Sequence, residues 1–125
     1  MRLGRLWLGV CLVICGCGPK RTPYPEALLS ERPGERILAI QQAGESMDRS
    51  TVAVLVDSLE DEDEAVRFYA ILALEKLTGT RMGFEYQASE VQRARSVDRW
   101  RRYVREGPPA SAPAAQWAGG PGDGS

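Results

Sequence analysis

The most reactive side chains here, Cys11, Cys15 and Cys17, all fall within the first seventeen positions. Cys15-Gly16-Cys17 has the donor atoms of a redox or soft-metal pair, because a thiolate is both nucleophile and ligand. No histidine occurs anywhere in the chain. Imidazole bases, His-centred triads and His-ligated metals are therefore excluded. Carboxylates are dense at Asp57, Glu60, Asp61, Glu62, Asp63 and Glu64. Calcium takes such ligands, but the run lacks the glycine and the alternating ligand spacing of a calcium loop. Helix capping and a solvated face account for it. Arg93, Arg95, Arg99, Arg101, Arg102 and Arg105 offer cations to anionic lipid or an acidic partner, diluted by Glu90, Asp98 and Glu106. They read as the solvated face of a helix. Motifs for a serine nucleophile or a phosphate loop are missing. The expectation is a protein that is no enzyme and holds no cofactor or metal. A formal charge of −1 gives no pull toward nucleic acid, which needs a basic face.

The cysteines belong to a segment of a different kind. Arg2 and Arg5 precede an apolar run, Leu6 to Ile14, too short to span a bilayer as a helix. That is the anatomy of a signal peptide. Its end, Leu12-Val13-Ile14-Cys15-Gly16-Cys17, resembles the lipobox of bacterial lipoproteins, with a small residue directly before Cys17. Cys15 fits less well, because bulky Ile14 precedes it. The resemblance implies lipidation of Cys17, with cleavage before it and loss of residues 1–16. Cys11 and Cys15 leave with the leader and Cys17 becomes a thioether, so no thiol remains for a disulfide or metal. Acyl chains such as palmitate make the anchor stable, each buried methylene contributing about 0.8 kcal/mol. Gly18 stands where an Asp would resemble an inner-membrane retention signal. In a cell with an outer membrane the expected place is that membrane, facing the periplasm.

Without Arg2 and Arg5 the remaining chain has 14 basic and 17 acidic residues, a formal charge of −3. Residues 17–32 contain Pro19, Pro23 and Pro25 and read as a tether, with a short turn at Glu26 to Leu29. Residues 107–125 are almost wholly Gly, Pro, Ala and Ser. This composition buries too little apolar area to offset its ordering entropy, so a disordered tail is expected, with Trp117 its one large apolar residue.

Residues 33–106 form the folded domain, and its periodicity is helical throughout. A first helix starts at Pro33 and is expected to stop at Gly44. Val52, Leu55, Val56 and Leu59 mark a second, capped by Asp48 or Ser50. Asp61 followed by Glu64 is a capping-box analogue that opens a third, whose inward stripe is Val66, Ala70, Ala73, Leu74 and Leu77, widened by Phe68, Ile71 and Leu72. Thr78-Gly79 closes it. Met82, Phe84 and Tyr86 alternate through the next loop and pack back on the core. A fourth helix, about Ser89 to Glu106, is expected to face inward with Val91, Ala94, Val97, Trp100 and Val104.

Within the third helix Asp63, Val66, Arg67, Ala70, Ala73 and Leu74 fit D-x-x-V-R-x-x-A-x-x-A-L, which resembles the second helix of a HEAT repeat in its short bacterial form. Arg36-Ile37-Leu38-Ala39-Ile40 repeats the R-x-x-A-I of Arg67 to Ile71 at an offset of 31 residues, the length of one helical hairpin. Arg36 and Ala39 are thus the earlier equivalents of Arg67 and Ala70. Gln42 departs from the pattern, standing where Ala73 does. The resemblance covers about Pro33 to Leu77, one complete repeat and one half. It implies an all-α fold, a short α-solenoid of HEAT-like helical hairpins with a C-terminal capping helix. The small alanines would let helices approach, and the arginines would reach an Asp or backbone carbonyls.

Together these features predict a membrane-anchored protein–protein interaction module of the cell envelope. Its partner would be an unidentified envelope protein, with self-association a further outcome for so small a core. The alternative is an accessory or regulatory subunit of an envelope enzyme.

Overall fold

The computed structural model describes Gly18 and residues 20–108. Four helices carry the fold: α1 (Pro33–Glu45), α2 (Val52–Asp57), α3 (Glu64–Thr78) and α4 (Glu90–Glu106). Short 3-10 turns at Glu26–Leu29, Arg49–Thr51 and Ser58–Glu60 accompany them, and no strand occurs among the described residues. Both flanking turns continue α2, so residues 49–60 act as one helical arm.

Packing sorts the elements into two layers. α1 lies chiefly on α3, while α2 with its following turn lies on both α3 and α4. One layer is therefore α1 and α3, related by the 31-residue offset; the other is the α2 arm and α4. The turn Glu26–Leu29 packs on α1, at the place a helix of the second layer would take. This is the arrangement of a short α-solenoid, with α3 at its centre. Val66, Ala70, Ile71 and Leu74 of α3 are almost wholly buried, together with Ile40, Leu55, Leu59, Phe84, Val97 and Trp100 from around it.

Caps set the boundaries. Asp63 is the N-cap of α3, its carboxylate accepting from the backbone N–H groups of Ala65 and Val66 at 2.8 and 3.1 Å. The expected box from Asp61 to Glu64 does not form. Asp61 instead accepts from the Asp63 N–H at 2.9 Å and pairs with Arg36. Gly79 ends α3 with φ of 77°, a left-handed conformation that costs glycine least. Ser89 and Gln92 close a reciprocal capping box at the start of α4.

Three expectations need correction. Gly44 does not stop α1, which runs on to Glu45; it is buried where α1 meets α3. A Cβ there would sit 3.4 Å from both Cα and Cβ of Ala73, so glycine and alanine together set the helix spacing. The inward face of α4 is Ser96, Val97, Trp100 and Tyr103, whereas Val91, Ala94 and Val104 are exposed. With about 3.6 residues per turn, Val91 lies on roughly the opposite side of the helix from Trp100. Finally, packing begins before Pro33. Ala27 and Leu28 are in the core and Tyr24 packs against it, so the later part of 17–32 belongs to the domain.

Candidate functional site

The two arginines of the repeated motif occupy equivalent positions. Arg67 is only 8% exposed. Its Nη1 donates to the carbonyls of Asp61 at 2.8 Å and Glu62 at 2.9 Å, and its Nε donates to the Tyr86 carbonyl at 3.4 Å. Arg36 repeats the first contact at the same sequence distance, donating from Nη1 to the Ser30 carbonyl at 2.6 Å. It also meets Asp61 with both Nη2 and Nε, at 3.0 and 2.9 Å. Each guanidinium thus ties a helix to the chain that enters it, and Arg36 adds a bond between successive hairpins. Asp61 belongs to both hairpins, a role that its place in an acidic run does not signal.

Of the other motif residues, Ala39, Val66, Ala70, Ala73 and Leu74 are buried and bring the layers together. Asp63 caps. Cys17 lies outside the described residues, as do residues 1–16 and the tail from residue 109 onward.

The acidic run is already engaged in part. Asp61 and Asp63 are used as above, and Glu60 accepts from Arg101 of α4. Among the described residues no group of three or more carboxylates could hold a metal ion. The buried hydroxyls are spent on backbone carbonyls: Ser58 on Val54, Thr78 on Leu74 and Ser96 on Gly83.

Titration is perturbed mainly where the entering segment is strapped to α1. Glu35 accepts from the hydroxyls of Ser30 at 2.6 Å and Thr22 at 3.0 Å, which lower its pKa. Asp48 is lowered by Ser50 and then by Tyr24. Tyr24, which donates to Asp48, is pushed up to about 12 by burial and by that carboxylate. Burial also raises Tyr103. These groups hold residues 22–30 in place.

The surface offers several features. A groove of about 310 Å³ has an apolar floor of Val52, Ala53, Leu77, Tyr103 and Val104, with Arg49 at its edge. A second, of about 300 Å³, lies between Met82, Arg99 and Arg102 and shares Tyr103 with the first. A polar hollow of about 280 Å³ places Glu60, Glu62 and Glu90 around Arg67 and Arg93. On α1, Leu38 is 56% exposed and Gln42 is exposed. Both correspond to positions of α3, Tyr69 and Ala73, that are wholly or partly buried. α1 lacks a preceding helix on that side, which explains Gln42 in place of a small residue. No helix among the described residues is long and apolar enough to cross a membrane.

A family model for HEAT repeats matches residues 25–105. The chain belongs to the HEAT-repeat family. The match extends on both sides of the motif at Pro33 to Leu77, taking in the turn at Glu26–Leu29 and almost all of α4. In HEAT terms α1 is a second helix whose first is reduced to that turn, α2 and α3 are a complete hairpin, and α4 takes the first-helix position of a third. Loop 79–88, with Phe84 fully buried, fills the space between α3 and α4. Comparisons with curated proteins and with solved structures returned no match.

Proposed function

We propose that this HEAT-repeat protein is a lipid-anchored interaction module of the bacterial cell envelope, held to the membrane through acylated Cys17 and catalysing no reaction. HEAT repeats generally mediate protein–protein interaction, and the family match is the observation that carries the binding role. The anchor rests on the sequence Leu12 to Cys17. A charged leader, a short apolar run and Gly16 before Cys17 supply what lipidation needs. The spent hydroxyls and the absence of histidine favour binding over chemistry.

The partner is a protein of the envelope. Accessory or regulatory binding to an envelope enzyme is the second reading. It is favoured by the size of the unit: about two and a half hairpins make a small core that gains stability from docking. Crosslinking and pull-down from envelope membranes, with the native protein beside Cys17→Ala and intact-mass detection of acylation, tests both. An acylated protein that captures a defined partner, lost in Cys17→Ala, supports the anchored module. An active enzyme among the captured proteins selects the accessory role. An unacylated protein that comes down alone overturns both.

A further inference from the structure

Charge is unevenly placed on this domain. Residues 33–64 hold nine acidic groups against Arg36 and Arg49, a net of seven negative charges. α4 holds six arginines against Glu90, Asp98 and Glu106, a net of three positive. Three of those arginines have structural tasks: Arg93 donates to the Ala88 carbonyl, Arg99 to the Met82 carbonyl and Arg101 to Glu60. Arg95, Arg102 and Arg105 have no ion pair or hydrogen bond among the described residues, and all are exposed. Arg95 and Arg102, seven residues apart, project on nearly one line of the helix, with Arg105 within a quarter turn. Val91 sits on the same side and is 62% exposed. The expected apolar stripe put this valine in the core; its exposure leaves an apolar residue beside three unengaged cations.

We propose that this outer face of α4 is a docking surface for anionic phospholipid headgroups, which turns the domain so that α4 lies toward the membrane and the acidic residues 33–64 lie away. The inference rests on the anchored reading above. Five residues separate Cys17 from Thr22, the first residue hydrogen-bonded to α1, and so short a leash spans at most about 18 Å. Electrostatic attraction fades over a Debye length of about 8–10 Å, and the leash holds the domain near enough to feel it. Guanidinium groups pair phosphates through parallel N–H bonds, and the acidic run is repelled by the same surface. Each arginine near an anionic leaflet biases the orientation about fivefold, so the three together bias it about a hundredfold.

The test uses the acylated protein carrying Val91→Cys, labelled with a nitroxide and reconstituted into phosphatidylcholine vesicles with or without phosphatidylglycerol. Flotation reads the anchor, and accessibility of the label to a water-soluble relaxation agent reads the face. The expected result is flotation on both vesicles, with label accessibility severalfold lower only where phosphatidylglycerol is present. The protection is lost at high salt and in Arg95→Gln/Arg102→Gln/Arg105→Gln, while a label at Gln42→Cys on α1 is unaffected. Flotation on both with equal accessibility overturns the orientation and leaves the anchor standing. No flotation on either overturns both. Unacylated protein that floats only on phosphatidylglycerol, with the label protected, supports the face and removes the anchor. Protection in envelope membranes but not in lipid vesicles overturns the lipid in favour of an acidic protein.

Discussion

Replacing each repeat arginine by methionine measures what its contacts contribute, because methionine keeps much of the apolar stem and removes every donor. In Arg67→Met three carbonyls lose a charged donor inside a nearly closed site. Hydrogen bonds to charged groups contribute about 1.5–3 kcal/mol each. The Tyr86 bond is long, and the exposed Glu62 segment regains water, so the net loss is about 3 kcal/mol. In a domain of this size that lowers Tm by roughly 10–20 °C. Arg36→Met removes one carbonyl bond and the pair with Asp61, whose side chains are 17% and 14% exposed. Solvent screens that pair in part, and the expected loss is about half as large. Urea denaturation followed by circular dichroism reads both, as a shift in midpoint at unchanged slope. A loss below about 1 kcal/mol in Arg67→Met, or a larger one in Arg36→Met, refutes the claim that burial makes the second clamp the stronger.

Other substitutions test the corrected faces. Val91→Glu leaves stability within about 0.5 kcal/mol, while Val97→Glu, which buries an unpaired carboxylate, abolishes the cooperative thermal transition. Gly44→Ala fits against Ala73 with little to spare and, by helix propensity, shifts stability by no more than about 1 kcal/mol; Gly44→Val pushes α1 off α3 and costs about 2 kcal/mol or more, read by the same denaturation. The strap at residues 22–30 responds to pH at both ends. Glu35 and Asp48 titrate below their usual 4.5 and 3.8 when folded, so their contribution is present above those values and lost as pH falls through the lowered ones. Tyr24 titrates at about 12 instead of 10.0, so its contribution is present below 10 and lost as pH rises through about 12. Hydrogen exchange, corrected for its intrinsic pH dependence, therefore shows residues 24–30 protected between those limits and opening before α3 at both extremes.

Most of the fold is legible in α3 alone. Its stripe, its Asp63 start and its Gly79 stop all follow from spacing and capping chemistry, because this helix meets neighbours on nearly every side. The errors lie at the edges. α4 is buried along one narrow line, and valines at 91 and 104 mimic an inward stripe that Ser96 and Tyr103 complete instead. A serine whose hydroxyl donates to the Gly83 carbonyl counts as polar in the sequence and as core in the fold. Gly44 gave a stop signal by residue type, but its reason is the close approach of α3, which involves a residue 29 positions away. The strap was likewise hidden, since Thr22, Ser30 and Glu35 become one network only after residues 24–30 fold back on α1. The surface face of α4 was visible as an arginine cluster; that three of its members have no structural partner among the described residues was not.

The same edges decide what the molecule can do. A solenoid has to terminate its layers, and this one does so with unequal means. At the C-terminal side, loop 79–88 fills the space beside α3 with Phe84, and α4 turns a charged face outward. At the N-terminal side, a single 3-10 turn and a hydrogen-bonded strap stand in for a helix, while Leu38 and Leu29 remain exposed on α1 and on that turn. A charged end resists stacking and suits an ionic surface; an apolar, thinly covered end is where another protein's side chains would bury area. If lipid headgroups occupy the α4 side, α1 and its strap face the opposite way, into the space where a partner approaches. Leu38→Glu would then cost little stability, because the residue is already half in water, but would weaken capture of the partner several-fold in the crosslinking experiment. Capture unchanged by Leu38→Glu would move the binding surface elsewhere, to the apolar groove lined by Val52, Ala53 and Val104.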